Sequence, residues 1–291
     1  MNISTTIDDN VVDLRQLLAN LLRYRVAVIG ITVFCFAMGI LLAFVITPVY
    51  RAEVTMIPVQ SSQPSAGSLS IASQLQNLSG IIGLGSSSDE TEEALATLQA
   101  RNLTTDFIEK YDLLPQLFKS AWDPVANDWA VPEPDRPTLW DAYKKFDQTI
   151  RKVSQDTSTG IVTLTVDWYD PQVAATWANN LVAEVNSRMR ARAVDEARRN
   201  LEYLRQQLDT SSLVELRQGL ASLIEAQINK IMLANSRDDY SFRVIDPAIP
   251  PDQDAFVKPN RLLLIVGGLF GGLLLGSVFA LGLSALRGEQ D

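Results

Sequence analysis

The sequence predicts an α+β chain in which two transmembrane helices flank an extracytoplasmic domain, with a small membrane-proximal mixed sheet and long protruding helices. Three observations predict it. Two uncharged apolar stretches, 26–46 and 262–285, stand near opposite ends of the 291 residues. A β-prone run, Gly160-Ile161-Val162-Thr163-Leu164-Thr165-Val166, lies between them. After it, apolar residues recur every three or four positions from Ala174 to Leu208.

Each apolar stretch can cross a hydrocarbon core of about 30 Å as a helix rising about 1.5 Å per residue. Arg25 closes the first on one side and Thr47-Pro48 on the other, while Arg261 and Arg287 bracket the second. A signal peptide fits the first stretch poorly, because its apolar core is too long and no small-x-small cleavage site follows. Two spans put both termini on one side. The basic residues nearly balance, with Arg15, Arg23, Arg25 and Arg287 set against Arg51, Lys258 and Arg261. The length of the central segment favours its export. The expected organisation is a cytoplasmic segment 1–25, a span 26–46, a working domain 47–261, a span 262–285 and a cytoplasmic tail 286–291.

The chain has no histidine, and its one cysteine, Cys35, lies inside the first span. An intramolecular disulfide and a Cys/His metal site are therefore excluded, and no cofactor or metal is expected. Acid–base chemistry would rest on carboxylates, lysines or tyrosines. The segment from Pro48 to Arg261 carries 21 basic and 29 acidic residues, a balance that argues against nucleic acid.

Residues 7–24 read as a short amphipathic helix. Tyr50–Ile57 reads as a strand, Ser61–Ser70 as a loop, and Leu75–Leu84 as a weakly polar patch loosened by glycines. Acidic residues from Asp89 to Glu93 suit the first turn of a helix running to about Lys110, with Leu95, Leu98, Leu103 and Phe107 inward. Proline-rich 122–139 reads as irregular, with another helix beginning near Leu139. Asp170-Pro171 then starts the long helix, the carboxylate capping free N–H groups and proline losing no internal bond. It spans about 172–209 and about 55 Å. A second helical segment follows at about 213–235, and Tyr240–Ile245 is another strand candidate. The strands near 50, 161 and 240 are expected to share one sheet.

The motifs in order are Pro48-x-Tyr50-x-Ala52, then Asp170-Pro171-x-x-Ala174-Ala175-x-x-Ala178-Asn179, then Phe242-Arg243-Val244-Ile245-Asp246-Pro247-Ala248-x-x-Pro251, then Pro259-x-Arg261 entering a glycine-rich span. Together they resemble the Wzz chain length determinant family, the polysaccharide co-polymerases of bacterial envelopes. The resemblance covers nearly the whole chain and carries Tyr50, Asp170, Pro171, Ala174, Asn179, Asp246, Pro247, Pro251, Pro259 and Arg261 as its residues. It implies a non-enzymatic protein of the bacterial inner membrane, its central domain periplasmic, which forms a ring-shaped homo-oligomer. With a Wzy-type polymerase it would set the modal length of lipid-linked O-antigen or a related surface polysaccharide. No GxxxxGK[ST] motif occurs, so the resemblance is to the short form without a fused kinase. A capsule or exopolysaccharide component working with a separate tyrosine kinase is the alternative, and a periplasmic scaffold or adaptor of an export system is a rival of another class.

In the second span Gly268, Gly272, Gly276 and Ala280 recur every four residues, with Gly267 and Gly271 beside them. Small residues at that spacing let helices approach closely in lipid. Gly30, Gly39 and Ala43 give the first span a smaller counterpart. The packing partner is either the other span or the polymerase. Arg188, Arg192 and Arg199 stand on the long helix among other arginines, interleaved with Asp195, Glu196 and Glu202. Two readings stand for them, a salt-bridged or intersubunit face and a contact for the lipid-linked glycan. Asp167 and Asp170 bracket Trp168-Tyr169 as a glycosidase pair could, but a helix cap and a strand end account for them more simply.

Overall fold

The computed structural model describes residues 25–59, 87–210 and 214–288. The expected segments at 7–24, 61–70 and 75–84 lie outside them. In chain order the helices and strands are α1 (Arg25–Val45), β1 (Val49–Pro58), α2 (Ser87–Gln99), α3 (Arg101–Lys110), α4 (Leu114–Leu117), β2 (Trp122–Asp123), β3 (Asp128–Trp129) and α5 (Leu139–Lys145). They continue with β4 (Arg151–Gln155), β5 (Val162–Trp168), α6 (Pro171–Thr210), α7 (Val214–Ser236), β6 (Phe242–Asp246), β7 (Phe256–Lys258) and α8 (Arg261–Gly288). The chain divides into two compact units, one formed by the two ends and the other by Tyr50–Ala255.

In the first unit α1 and α8 are both long and apolar enough to cross a membrane. They pack antiparallel along a seam of small residues. Gly276 faces Val28, Gly272 faces Thr32 and Cys35, and Gly268 faces Cys35 and Gly39. A methyl group on Gly268 would sit 2.8 Å from the Cys35 carbonyl oxygen, and one on Gly272 would sit 2.9 Å from the Thr32 Cα. Those are backbone atoms, which cannot swing aside, so only glycine allows this approach.

The second unit is built on a sheet whose strands run in the order β4-β5-β1-β6. The three pairings along this path are antiparallel. Alternation sets the faces. Ala52, Val54 and Met56 of β1 and Val162, Leu164, Val166 and Trp168 of β5 are buried on one face. Arg51, Glu53 and Thr55 turn to the other. Against the apolar face pack Leu103 and Phe107 of α3, Phe146 just after α5, and Ala174, Ala178, Leu181 and Val185 of α6. Trp177 bridges this layer, its ring 4.8 Å from Trp168 and 5.9 Å from Phe146 between centroids.

At 40 residues α6 is about 60 Å long. Its first half lies on the sheet, and further along it pairs with α7, where Ala193, Ala197 and Ala234 are buried. Past Leu201 few of its side chains are covered. The helix expected to run unbroken to Lys110 is instead divided at Ala100, whose ψ of 141° is extended. The cause lies far away in sequence. The guanidinium of Arg151, on the core face of β4, donates to the carbonyls of Leu98 at 2.8 Å and Gln99 at 3.2 Å, and to Thr104 Oγ1 at 2.7 Å. It takes the last carbonyls of α2, where a cation also meets the negative end of the helix dipole. Proline-rich 122–139 is not wholly irregular either, since β2 and β3 form a small ribbon closed by an edge-on Trp122–Trp129 contact.

Candidate functional site

The motif residues divide between local caps and long-range ties. Asp170 Oδ1 accepts from the N–H groups of Gln172 at 2.8 Å and Val173 at 3.2 Å, and Pro171 is the first residue of α6. Ala174 is wholly buried against the sheet. One turn further, Asn179 reaches the motif after β6. Its Nδ2 donates to the Ala248 carbonyl at 2.9 Å and its Oδ1 accepts from the Ala248 N–H at 3.0 Å. Two motifs some 70 residues apart thus meet through one carboxamide.

Asn186, two turns beyond Asn179, makes a second tie that the sequence reading missed. It is buried, its Oδ1 accepts from the N–H groups of Ser241 and Phe242, and its Nδ2 donates to the Phe242 carbonyl at 2.8 Å. A seven-residue repeat of asparagine on an otherwise apolar stripe was the available signal. Asp246 and Pro247 are exposed where β6 ends, and Tyr50 donates its hydroxyl to the Gln253 carbonyl at 3.2 Å. Pro251 is partly buried, Pro259 follows a cis peptide bond, and Arg261 opens α8.

Asp167 is directly opposite Arg51 on the polar face of the sheet. The two form a paired contact, Nε to Oδ1 at 2.8 Å and Nη2 to Oδ2 at 3.0 Å. That hydrogen bonding raises the Arg51 pKa against the opposing effect of burial. With Asp167 held by arginine and Asp170 capping α6, both carboxylates have structural partners.

The arginines of α6 do not act together. Arg188 donates to Asp106 at 2.7 Å and to Glu184 at 3.3 Å, and Glu184 also takes Lys110 at 2.7 Å. Burial pushes the Glu184 carboxyl up, but the hydrogen bonds from Lys110 and Arg188 prevail and hold it below the usual range. Arg192 pairs with Glu93 on α2. Arg199 is exposed and has no ion pair among the described residues. Arg188 and Arg192 line a shallow groove of about 370 Å³ with Glu93, Thr97, Asn102 and Met189. A smaller cavity of about 50 Å³ adjoins it beside Arg192, Glu196, Lys230 and Tyr240. The larger groove is lined by two arginines and one glutamate, the smaller by two groups of each charge, and both arginines are already paired with carboxylates.

The glycines of α8 also separate. Gly268, Gly272 and Gly276 lie in the α1 seam with buried Ala280, whereas nothing comes within 4 Å of a methyl group built on Gly267 or Gly271. On α1, Gly39 is in the seam and Gly30 is open.

These observations define an α+β protein with two helices of membrane-crossing length and a long helix braced on a sheet. Residues 10–111 match the model of the Wzz family, described as chain length determinant protein. A solved full-length bacterial polysaccharide co-polymerase aligns over 95% of this chain and 99% of its own, at 14% identity and a TM-score of 0.43. A likeness that distant carries no argument about fold or function. No curated protein matches the chain.

Proposed function

We propose that the protein is a polysaccharide co-polymerase. It sets the modal chain length of lipopolysaccharide O-antigen, or of a related surface polysaccharide, by acting with a Wzy-type polymerase, and it catalyses no reaction itself. The observation that carries this reading is the family match over residues 10–111. The two helices of membrane-crossing length agree with it. In this reading the chain sits in the inner membrane with its termini in the cytoplasm, its central domain is periplasmic, and it works as a homo-oligomeric ring.

Deleting the gene and resolving the surface polysaccharide on a gel tests the proposal. Polymer should persist while its preferred length disperses, and the intact gene should restore the distribution. An unchanged length distribution would overturn the reading.

A further inference from the structure

Arg261 opens α8, and its guanidinium lies against two aromatic rings. Its Cζ is 4.2 Å from the ring centroid of Phe256 and 5.1 Å from that of Phe44, in the last turn of α1. Cation–π contacts of this kind occupy the faces of the planar guanidinium and leave its in-plane N–H edge to donate. Among the described residues Arg261 makes no hydrogen bond and no ion pair, and its Nε is buried without a partner. Other arginines are held differently: Arg51, Arg151, Arg188, Arg190 and Arg192 each meet a carboxylate.

The position of this cation narrows what can complete it. It begins the apolar stretch 261–280, so a bilayer that accepts the span places Arg261 at its boundary. A cation there settles at headgroup level rather than in hydrocarbon. The anion concentrated at that depth is lipid phosphate, and a guanidinium edge matches phosphate oxygens in a two-bond contact. We infer that Arg261 binds the phosphate of an anionic phospholipid headgroup, with Phe44 and Phe256 fixing the plane of its donors. The inference stands independently of the function proposed above.

Native mass spectrometry of the full-length protein, titrated with phosphatidylglycerol or phosphatidylcholine, tests this. The intact protein should retain phosphatidylglycerol in preference to phosphatidylcholine. Arg261→Gln should weaken that retention about tenfold, the scale of one lost charged hydrogen bond. Arg261→Lys should fall between them, because an ammonium keeps the charge without the fork. Phe256→Leu should weaken retention while leaving the charge in place, and it serves if the glutamine variant does not fold. Equal retention by the intact protein and the folded Arg261 variants would overturn the inference. Displacement of the lipid by millimolar inorganic phosphate would also overturn it, assigning the site to free phosphate instead.

Discussion

Asn179 and Ala248 hydrogen-bond to each other as two strands would, the side-chain amide of one offering a donor and an acceptor to the peptide group of the other. Asn186 repeats the arrangement at Phe242 and adds Ser241. Two turns of helix separate the pair, so α6 presents two peptide-like groups in line along the returning chain. β6 also pairs with β1. It is held by backbone on one edge and by helix side chains on the other.

Replacing Asn186 with alanine removes three hydrogen bonds and leaves buried backbone groups without partners. The expected loss is about 2–4 kcal/mol, from about 1–3 kcal/mol for each orphaned group with partial relaxation. Asn186→Asp should recover part of it, because the two acceptor contacts remain. Urea unfolding of the detergent-solubilised full-length protein measures both, and an alanine variant as stable as the parent would remove Asn186 from this role.

Arg151→Met should cost about 2–4 kcal/mol, from about 1–3 kcal/mol for each buried acceptor left without its donor, with partial relaxation. The carbonyls of Leu98 and Gln99 lose their donor, so loss of order should centre on α2 and α3. Hydrogen exchange across residues 91–110 reports this directly, and uniform exchange throughout the domain would contradict it.

The glycine seam gives a contrast within one helix. Gly272→Val sets a side chain against the Thr32 backbone and should lower thermal stability by about 1–3 kcal/mol, as overpacking does. Gly271→Val, one residue away, faces open space and should leave the melting temperature nearly unchanged. Similar melting of the two variants would show that the seam does not hold the spans together.

Acid should weaken the fold with a definite sign. Hydrogen bonds from Thr138 and Lys144 lower the Asp141 carboxyl to about 2, and bonds from Ser158 and Thr159 lower Asp156 likewise to about 2. Glu184 is also lowered. Carboxyls depressed in the folded state contribute stability above their unfolded pKa, near about 4, and lose it as pH falls through the folded value. The urea midpoint should therefore hold steady from pH 7 to about 5 and fall below about 4. Replacing Asp141 and Asp156 with asparagine should flatten that fall.

What the sequence made legible was whatever a period or a local cap encodes. The spans show as uncharged runs, β5 as alternation, and the start of α6 as Asp170-Pro171. The interruption at Ala100 carries no local signal, because neither glycine nor proline stands there and its cause is on β4. β4 itself, Arg-Lys-Val-Ser-Gln, is too polar to read as a strand until Arg151 has a buried partner. The arginines of α6 showed a similar limit. Spacing placed them on one helix, but only the approach of α2 and α3 decided that Glu93 and Asp106 would meet them. The glycines of α8 could be counted, yet which of two adjacent columns faced α1 depended on how the helices turned.

The contact of Arg151 with Leu98 spans 53 residues. The end of α2 therefore cannot be settled while the chain is still local, since the donor that stops the helix arrives only with the β4–β5 hairpin. Contacts that close long loops are slow to form. A bend that looks like a detail of one helix is thereby tied to the completion of the sheet.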